Sequence, residues 1–277
     1  MTAKELLQQG KLEEARKALQ EEVRAKPTDA KLRVFLFQMM AVQGEWEKAL
    51  TQLNVAADLD AMNLLMAQVC RPALATEALR LEIFSGQRTP LFLGEPEDWI
   101  GWLLEANKLL AKGHTKAAAE LREKAFEAAP ATSGTINGEK FEWIADADQR
   151  MGPVIEALVD GKYYWIPMHR IAKIVMEAPS DLRDLVWAPA TFTWSTGAQA
   201  IGLIPVRYPE TEKLGDNLAK LSRKTEWTDR GGTSVGIGQR LLTTDTVEVP
   251  LLEVRELVLN TASASPAPEA AVAAGGS

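Results

Sequence analysis

The chain has one cysteine, Cys70, and two histidines, His114 and His169, among its 277 residues. A single thiol excludes an internal disulfide and says nothing in favour of secretion. So few soft ligands also exclude a thiolate or multi-histidine zinc site. No apolar run approaches the roughly 20 residues of a membrane span, so no membrane insertion is expected. The opening MTAKELLQQG lacks the apolar core of a signal peptide. Basic side chains are the minority, 31 against 38 acidic, for a net charge of −7. Phosphate contacts need a basic surface, so nucleic acid is not an expected partner. Hydrophobic residues make up 46% and charged residues 25%, enough to bury a core and against global disorder. A soluble, cytoplasmic, two-part protein is expected.

The first half is rich in Ala, Leu, Glu, Lys and Gln, the good helix formers. Within it Gly10-Lys11-Leu12-Glu13-Glu14-Ala15 returns as Gly44-Glu45-Trp46-Glu47-Lys48-Ala49, an offset of 34 residues (44 − 10). Gly113-His114-Thr115-Lys116-Ala117-Ala118 is a third copy, 69 residues further on (113 − 44), about two periods at the roughly 34-residue tetratricopeptide spacing. In each copy the glycine ends a helix in a left-handed turn, and the alanine permits close helix approach. Pro27 and Pro130 each follow a repeat glycine by 17 residues (27 − 10, 130 − 113), where the second helix should stop. The stretch between the second and third copies fits less well. Pro72 interrupts a helical pattern, GQRTPLFLGEP (86–96) reads as a loop, and Asp98 is a plausible helix start. About three hairpins with an irregular middle unit are expected, leaving a concave face for a partner segment.

From Ala131 the composition changes. ATSGTINGEK is a polar link, and short apolar, aromatic and β-branched runs follow at Phe141–Ala145, Tyr163–Ile166, Leu185–Trp187, Ala190–Trp194, Ala200–Val206, Ser234–Leu242 and Leu252–Leu259. Helices are expected at Pro153–Val159, Arg170–Val175 and Asn217–Leu221. The fold class is thus α followed by α+β. A tetratricopeptide-like array over 1–130 precedes a smaller, mostly antiparallel α+β domain over 131–260. The Ala/Pro/Ser/Gly-rich 261–277 is expected to be a disordered tail.

Candidate chemistry is thin. Asp146 and Asp148, two residues apart, would hold a divalent cation through oxygen ligands, with Arg150 beside them for an anionic substrate. The plainer reading makes them strand-end caps, with Arg150 paired to one of them. GGTSVGIG (231–238) lacks the Lys-Ser/Thr of a phosphate loop and reads as a hairpin. Ser195 lacks the first glycine of a nucleophile elbow. His169 reads as a structural hydrogen-bonded residue beside Arg170, His114 as an exposed turn residue and Cys70 as an inert buried thiol. No catalytic constellation, metal site or cofactor site emerges. Trp99 and Trp102 share a helical face. Phe35, Phe37, Met39 and Met40 make Leu32–Val42 apolar on more than one face, which fits either burial or a groove for a partner helix. Phe35, Phe37, Met40, Trp99 and Trp102 are therefore the candidate partner-binding residues, chosen on physical grounds.

The combination of FEWIADADQRMGPVIEALVDGKYYWIPMHRI, APSDLRDLVWAPA and IGLIPVRYPETE behind a degenerate repeat array resembles the ImpE/SciE family, also called TagJ. These are accessory proteins of bacterial type VI secretion systems, and the resemblance runs from Met1 to about Asn260. It implies a non-enzymatic cytoplasmic adaptor that binds the small sheath subunit TssB near its N-terminus and is linked to the AAA+ ATPase ClpV, which disassembles contracted sheath. It supplies no contact list. Two alternatives stand beside it: a metal-dependent enzyme using Asp146 and Asp148, and a helical-repeat scaffold for another cytoplasmic complex.

Overall fold

The structure, a computed structural model, describes residues 1–95 and 97–261. The helical half contains α1 (Ala3–Gln8), α2 (Leu12–Ala25), α3 (Ala30–Val42), α4 (Trp46–Leu59), α5 (Leu64–Phe84), the two-residue β1 (Leu91–Phe92), α6 (Asp98–Ala111) and α7 (Thr115–Ala128). The hairpins α1–α2, α3–α4 and α6–α7 correspond to the three sequence repeats. Local chemistry explains their ends. Thr2 and Glu5 form a capping box on α1, and Asp29 accepts from the Lys31 and Leu32 amides to cap α3. Gly10, Gly44 and Gly113 close their helices at φ +75°, +75° and +81°. Each turn returns the next amide to an orphan carbonyl, for example Glu45 N–H to Met40 O at 2.9 Å. The repeat alanines Ala15, Ala49 and Ala118 are fully buried.

Gly86, at φ +73°, makes a fourth turn of the same kind, with Gln87 N–H on Glu82 O at 2.8 Å. A loop and β1 follow it instead of a helix, so no repeat pattern marks it. Pro72 does not end α5, which runs through it for 21 residues. Having no N–H, Pro72 leaves the Gln68 carbonyl without its i+4 donor.

The second half contains β2 (Gly134–Ile136), β3 (Glu139–Phe141), β4 (Ile144–Asp146), β5 (Val154–Val159), β6 (Lys162–Pro167), β7 (Ile171–Met176), β8 (Trp187–Trp194), β9 (Gln199–Pro205), the single-turn helices α8 (Thr211–Leu214) and α9 (Asn217–Lys220), then β10 (Thr225–Asp229), β11 (Ser234–Gly238), β12 (Leu241–Thr244), β13 (Glu248–Pro250) and β14 (Glu256–Leu259). Nine strands form one sheet in the order β1-β6-β5-β9-β8-β7-β14-β2-β3. Every pairing in it is antiparallel except β1 with β6. The β10–β11 hairpin and the β13-β12-β4 sheet complete the half.

Two stretches expected as helices are strands. Pro153–Val159 holds β5, an inner strand buried along its whole length. Val154 and Leu158 join the core shared with the helices, and Ile155, Ala157 and Val159 join the core on the other face. Burial on both faces erases the period-2 alternation that marks a half-exposed strand. Arg170–Val175 holds most of β7, where a register shift between Ile171 and Lys173 puts Ile171 and Ile174 on one buried face. That bulge produces an apolar spacing of three, which imitates a helix. Asn217–Leu221 does contain a short helix, and GGTSVGIG lies in the β10–β11 hairpin. The expected disordered tail lies outside the described residues from residue 262 onward.

A single apolar cluster joins Leu12, Leu53, Leu74 and Leu103 of the helices to Tyr163, Trp165 and Trp187 of the sheet. The inner face of the array is therefore covered by the chain's own second half. Phe84 packs on Trp165 at 5.3 Å between ring centroids, and Trp46 on Trp187 at 6.0 Å.

Candidate partner-binding site

At the centre of this junction lies a buried charge network. Arg80 of α5 donates Nε and Nη2 to the two Glu156 oxygens at 2.7 and 3.0 Å, and Nη1 to Glu77 at 2.9 Å. Arg240 bridges Glu156 to Asp146, Tyr163 OH donates to Glu156, and Trp187 Nε1 donates to Glu77 at 2.8 Å. Burial opposes ionisation of Glu156, yet Arg80 and Arg240 hold its carboxyl down at about 2. Burial pushes Asp146 up to about 6 against the pull of Arg240, so it is still ionised at neutral pH. Asp148 is bound by Arg150 through Nη2 at 2.6 Å. The two aspartates proposed for a cation are thus sealed inside ion pairs, and Arg150 takes the plainer of its two roles. Among the described residues no group of three or more His, Cys, Asp or Glu side chains is arranged to hold a metal.

Two further arginines tie sheet to helices. Arg207 donates to the last carbonyls of α3, Val42 O at 2.6 Å and Ala41 O at 3.3 Å. Arg223 does the same at α1, to Leu7 O at 2.9 Å and Gln8 O at 3.0 Å. Cations at helix C-termini satisfy orphan carbonyls and complement the macrodipole.

This packing decides where the candidate contact residues stand. Phe37, Met40 and Trp99 are in the core and offer no surface, which corrects the expectation of an open groove at those positions. Phe37 and Met40 lie on α3, which packs against α2, α4 and the segment Leu182–Leu185, and Trp99 lies on α6 in the same core. Phe35 is half-buried and lines a separate groove beside that segment. Trp102 is half-buried beneath Lys124, whose Nζ lies 3.7 Å from the ring centroid. His169 and Arg170 both bind Glu97, at 2.9 and 2.7 Å. His114 is exposed in its turn, and burial pushes the Cys70 thiol up to about 11.

The apolar surface that does face outward is elsewhere. The first half of α5 and the β5–β6 turn, with β8 and β9, enclose a groove of about 790 Å³. Leu65, Val69 and Ile201 stand on it at 75%, 54% and 78% exposure, unusual values for three aliphatic side chains in one place. Trp187 and Leu203 form its floor, and Gln68 and Pro72 line its wall. Arg183, Asp184 and Asp160 supply polar groups. Asp184 Oδ1 is buried without a hydrogen bond among the described residues, with Arg183 Nε 3.6 Å away. Residues apart in sequence build this groove, so hydrophobic pattern alone does not reveal it. The exposed Leu65 and Val69, four apart on α5, were its one legible trace.

Residues 138–258 match the family model described as "ImpE protein". The chain is 51% identical over 257 residues to the type VI secretion system accessory component TagJ of Pseudomonas aeruginosa, covering 93% of this chain and 90% of that protein. The chain belongs to the ImpE (TagJ) family. Its fold is also that of a crystal structure of a Vibrio parahaemolyticus protein, at a TM-score of 0.83 and 24% identity, with 93% of this chain and 97% of that one covered. The ImpE match begins beyond the helices and takes in Glu156, Trp187, Ile201 and Arg240, so this ImpE chain carries much of its junction and one wall of its groove inside the matched region.

Proposed function

We propose that this chain is a non-enzymatic accessory component of a bacterial type VI secretion system. It acts in the cytoplasm as an adaptor that receives the N-terminal region of the sheath subunit TssB and links contracted sheath to disassembly by the ClpV ATPase. The observation that carries the reading is the exposed apolar groove of α5 and β9 in a chain half identical to TagJ. An amphipathic helix placed there would cover Leu65, Val69 and Ile201, each contributing roughly 1.5–3 kcal/mol on full burial. Arg183 and Asp160 at the rim would set orientation and on-rate more than affinity. No helix among the described residues is long and apolar enough to cross a membrane.

Calorimetric titration of the full chain with a peptide from the TssB N-terminal region tests this. One-to-one binding is expected, weakened at least about tenfold by Leu65→Asp with Ile201→Asp while the melting curve is retained. Equal binding by wild type and variant moves the site away from this groove, and no binding removes the TssB reading.

A further inference from the structure

A second groove, of about 810 Å³, runs between α1, α3 and the segment 179–185. Its floor is apolar: Leu7, Leu32, Phe35, Leu182 and Leu185. Its rim is basic. Lys4 and Lys31 form no ion pair among the described residues, and the two contacts of Arg223 are to carbonyls at the end of α1, not to a carboxylate. The acid on this rim, Asp181, is already paired with Arg183 at 3.0 Å. Three cations without a carboxylate partner among the described residues surround one apolar trough on a chain whose net charge is −7. Gln38, 5% exposed, also lines the groove.

We propose that this groove docks an acidic amphipathic helix, with apolar side chains on the Phe35 floor and carboxylates on Lys4, Lys31 and Arg223. A helix suits the site better than an extended segment. The walls are helices and a 3₁₀ turn with no free strand edge, so a docked segment must satisfy its own backbone. The site is distinct from the α5–β9 groove. The stretch Asp181–Leu185 divides them: Leu182 and Leu185 face this groove, and Arg183 and Asp184 line the other. A chain occupied on both sides of that stretch would hold two partners back to back.

The test uses the full chain and two fluorescently labelled synthetic helical peptides. Both carry leucine at i, i+3, i+4 and i+7; one has glutamate at the remaining positions and its twin has lysine. Anisotropy is expected to show binding of the acidic peptide, little binding of the twin, and a loss of at least about fivefold in affinity as salt rises from low to high ionic strength. Lys4→Glu with Lys31→Glu, both exposed and so compatible with folding, is expected to weaken the acidic peptide at least about tenfold. Leu65→Asp is expected to leave it unchanged, although that substitution should weaken binding in the other groove. Equal binding of the two peptides, no binding of the acidic one, or sensitivity to Leu65→Asp in place of the lysines would each overturn the proposal. TssB-peptide titration of the same variants separates this result from the adaptor reading.

Discussion

Glu156→Gln probes the junction most sharply, because the substitution preserves shape and removes only charge and one acceptor. In the native chain Glu156 is fully buried and takes both Arg80 contacts, at 2.7 and 3.0 Å, together with Arg240 and Tyr163. Its carboxyl is held at about 2 against an ordinary 4.5, which corresponds to about 3 kcal/mol in favour of the ionised form. Removing one member of a buried pair costs about 3–5 kcal/mol, since the remaining cations lose their compensation. The amide nitrogen would also point a donor at guanidinium donors. A loss of about 3–5 kcal/mol is expected, a large part of the roughly 5–15 kcal/mol of a typical folded protein. Urea unfolding followed by far-ultraviolet ellipticity reads the helices, and tryptophan emission weights the second half, which holds five of the eight tryptophans. Both signals should shift together, because Arg80 and Glu156 belong to opposite halves. A loss below about 1 kcal/mol, or a shift confined to one signal, would refute the claim that this network joins the halves.

The repeat glycines give a matched pair. A Cβ on Gly44 would lie 2.3 Å from Glu212 Cγ, whereas one on Gly113 meets nothing within 4 Å, and both residues have positive φ. Gly113→Ala should therefore lose about 1 kcal/mol from the backbone alone and Gly44→Ala clearly more, read as the difference in urea midpoints; equal losses would contradict the close approach of α8 to the α3–α4 turn. Because the Glu156 carboxyl is depressed in the fold, its contribution is complete above pH 4.5 and lost as pH falls toward 2, about 3 kcal/mol in all. Glu156→Gln should flatten that acid limb in stability measured against pH, and an unchanged slope would assign it to other carboxylates. The Cys70 thiol, pushed up to about 11 by burial, should resist a disulfide reagent in the native state and react fully in denaturant. Rapid native labelling would show that α5 opens.

Much of the helical half was legible because its signals are local. Gly10, Gly44 and Gly113 need only their own φ and the turn that follows, and Pro27 and Pro130 stop helices by their own chemistry. The same locality misled at Pro72, where tertiary packing around a 21-residue helix outweighs one missing hydrogen bond. Strands buried on both faces, such as β5, hide their periodicity, and β7 hides its own behind a bulge. The candidate site was less readable still. Phe37, Met40 and Trp99 have the composition of a binding face, yet the second half covers the helices that carry them. The groove at Leu65 and Ile201 exists only once α5 lies beside β9, a juxtaposition spanning well over a hundred residues of chain (201 − 65). Arg240 and Glu156 likewise look like ordinary surface charges until the fold encloses them.

The adaptor account stands or falls on what touches the α5–β9 groove during sheath handling. A photo-reactive phenylalanine analogue placed at the exposed Val69, with a second at Trp102 for comparison, reports contacts in the intact chain. With contracted sheath present, the account predicts a cross-link from position 69 to the N-terminal region of TssB, lost with Ile201→Asp, and none from position 102. Capture of TssB from position 102 but not from position 69 would contradict it.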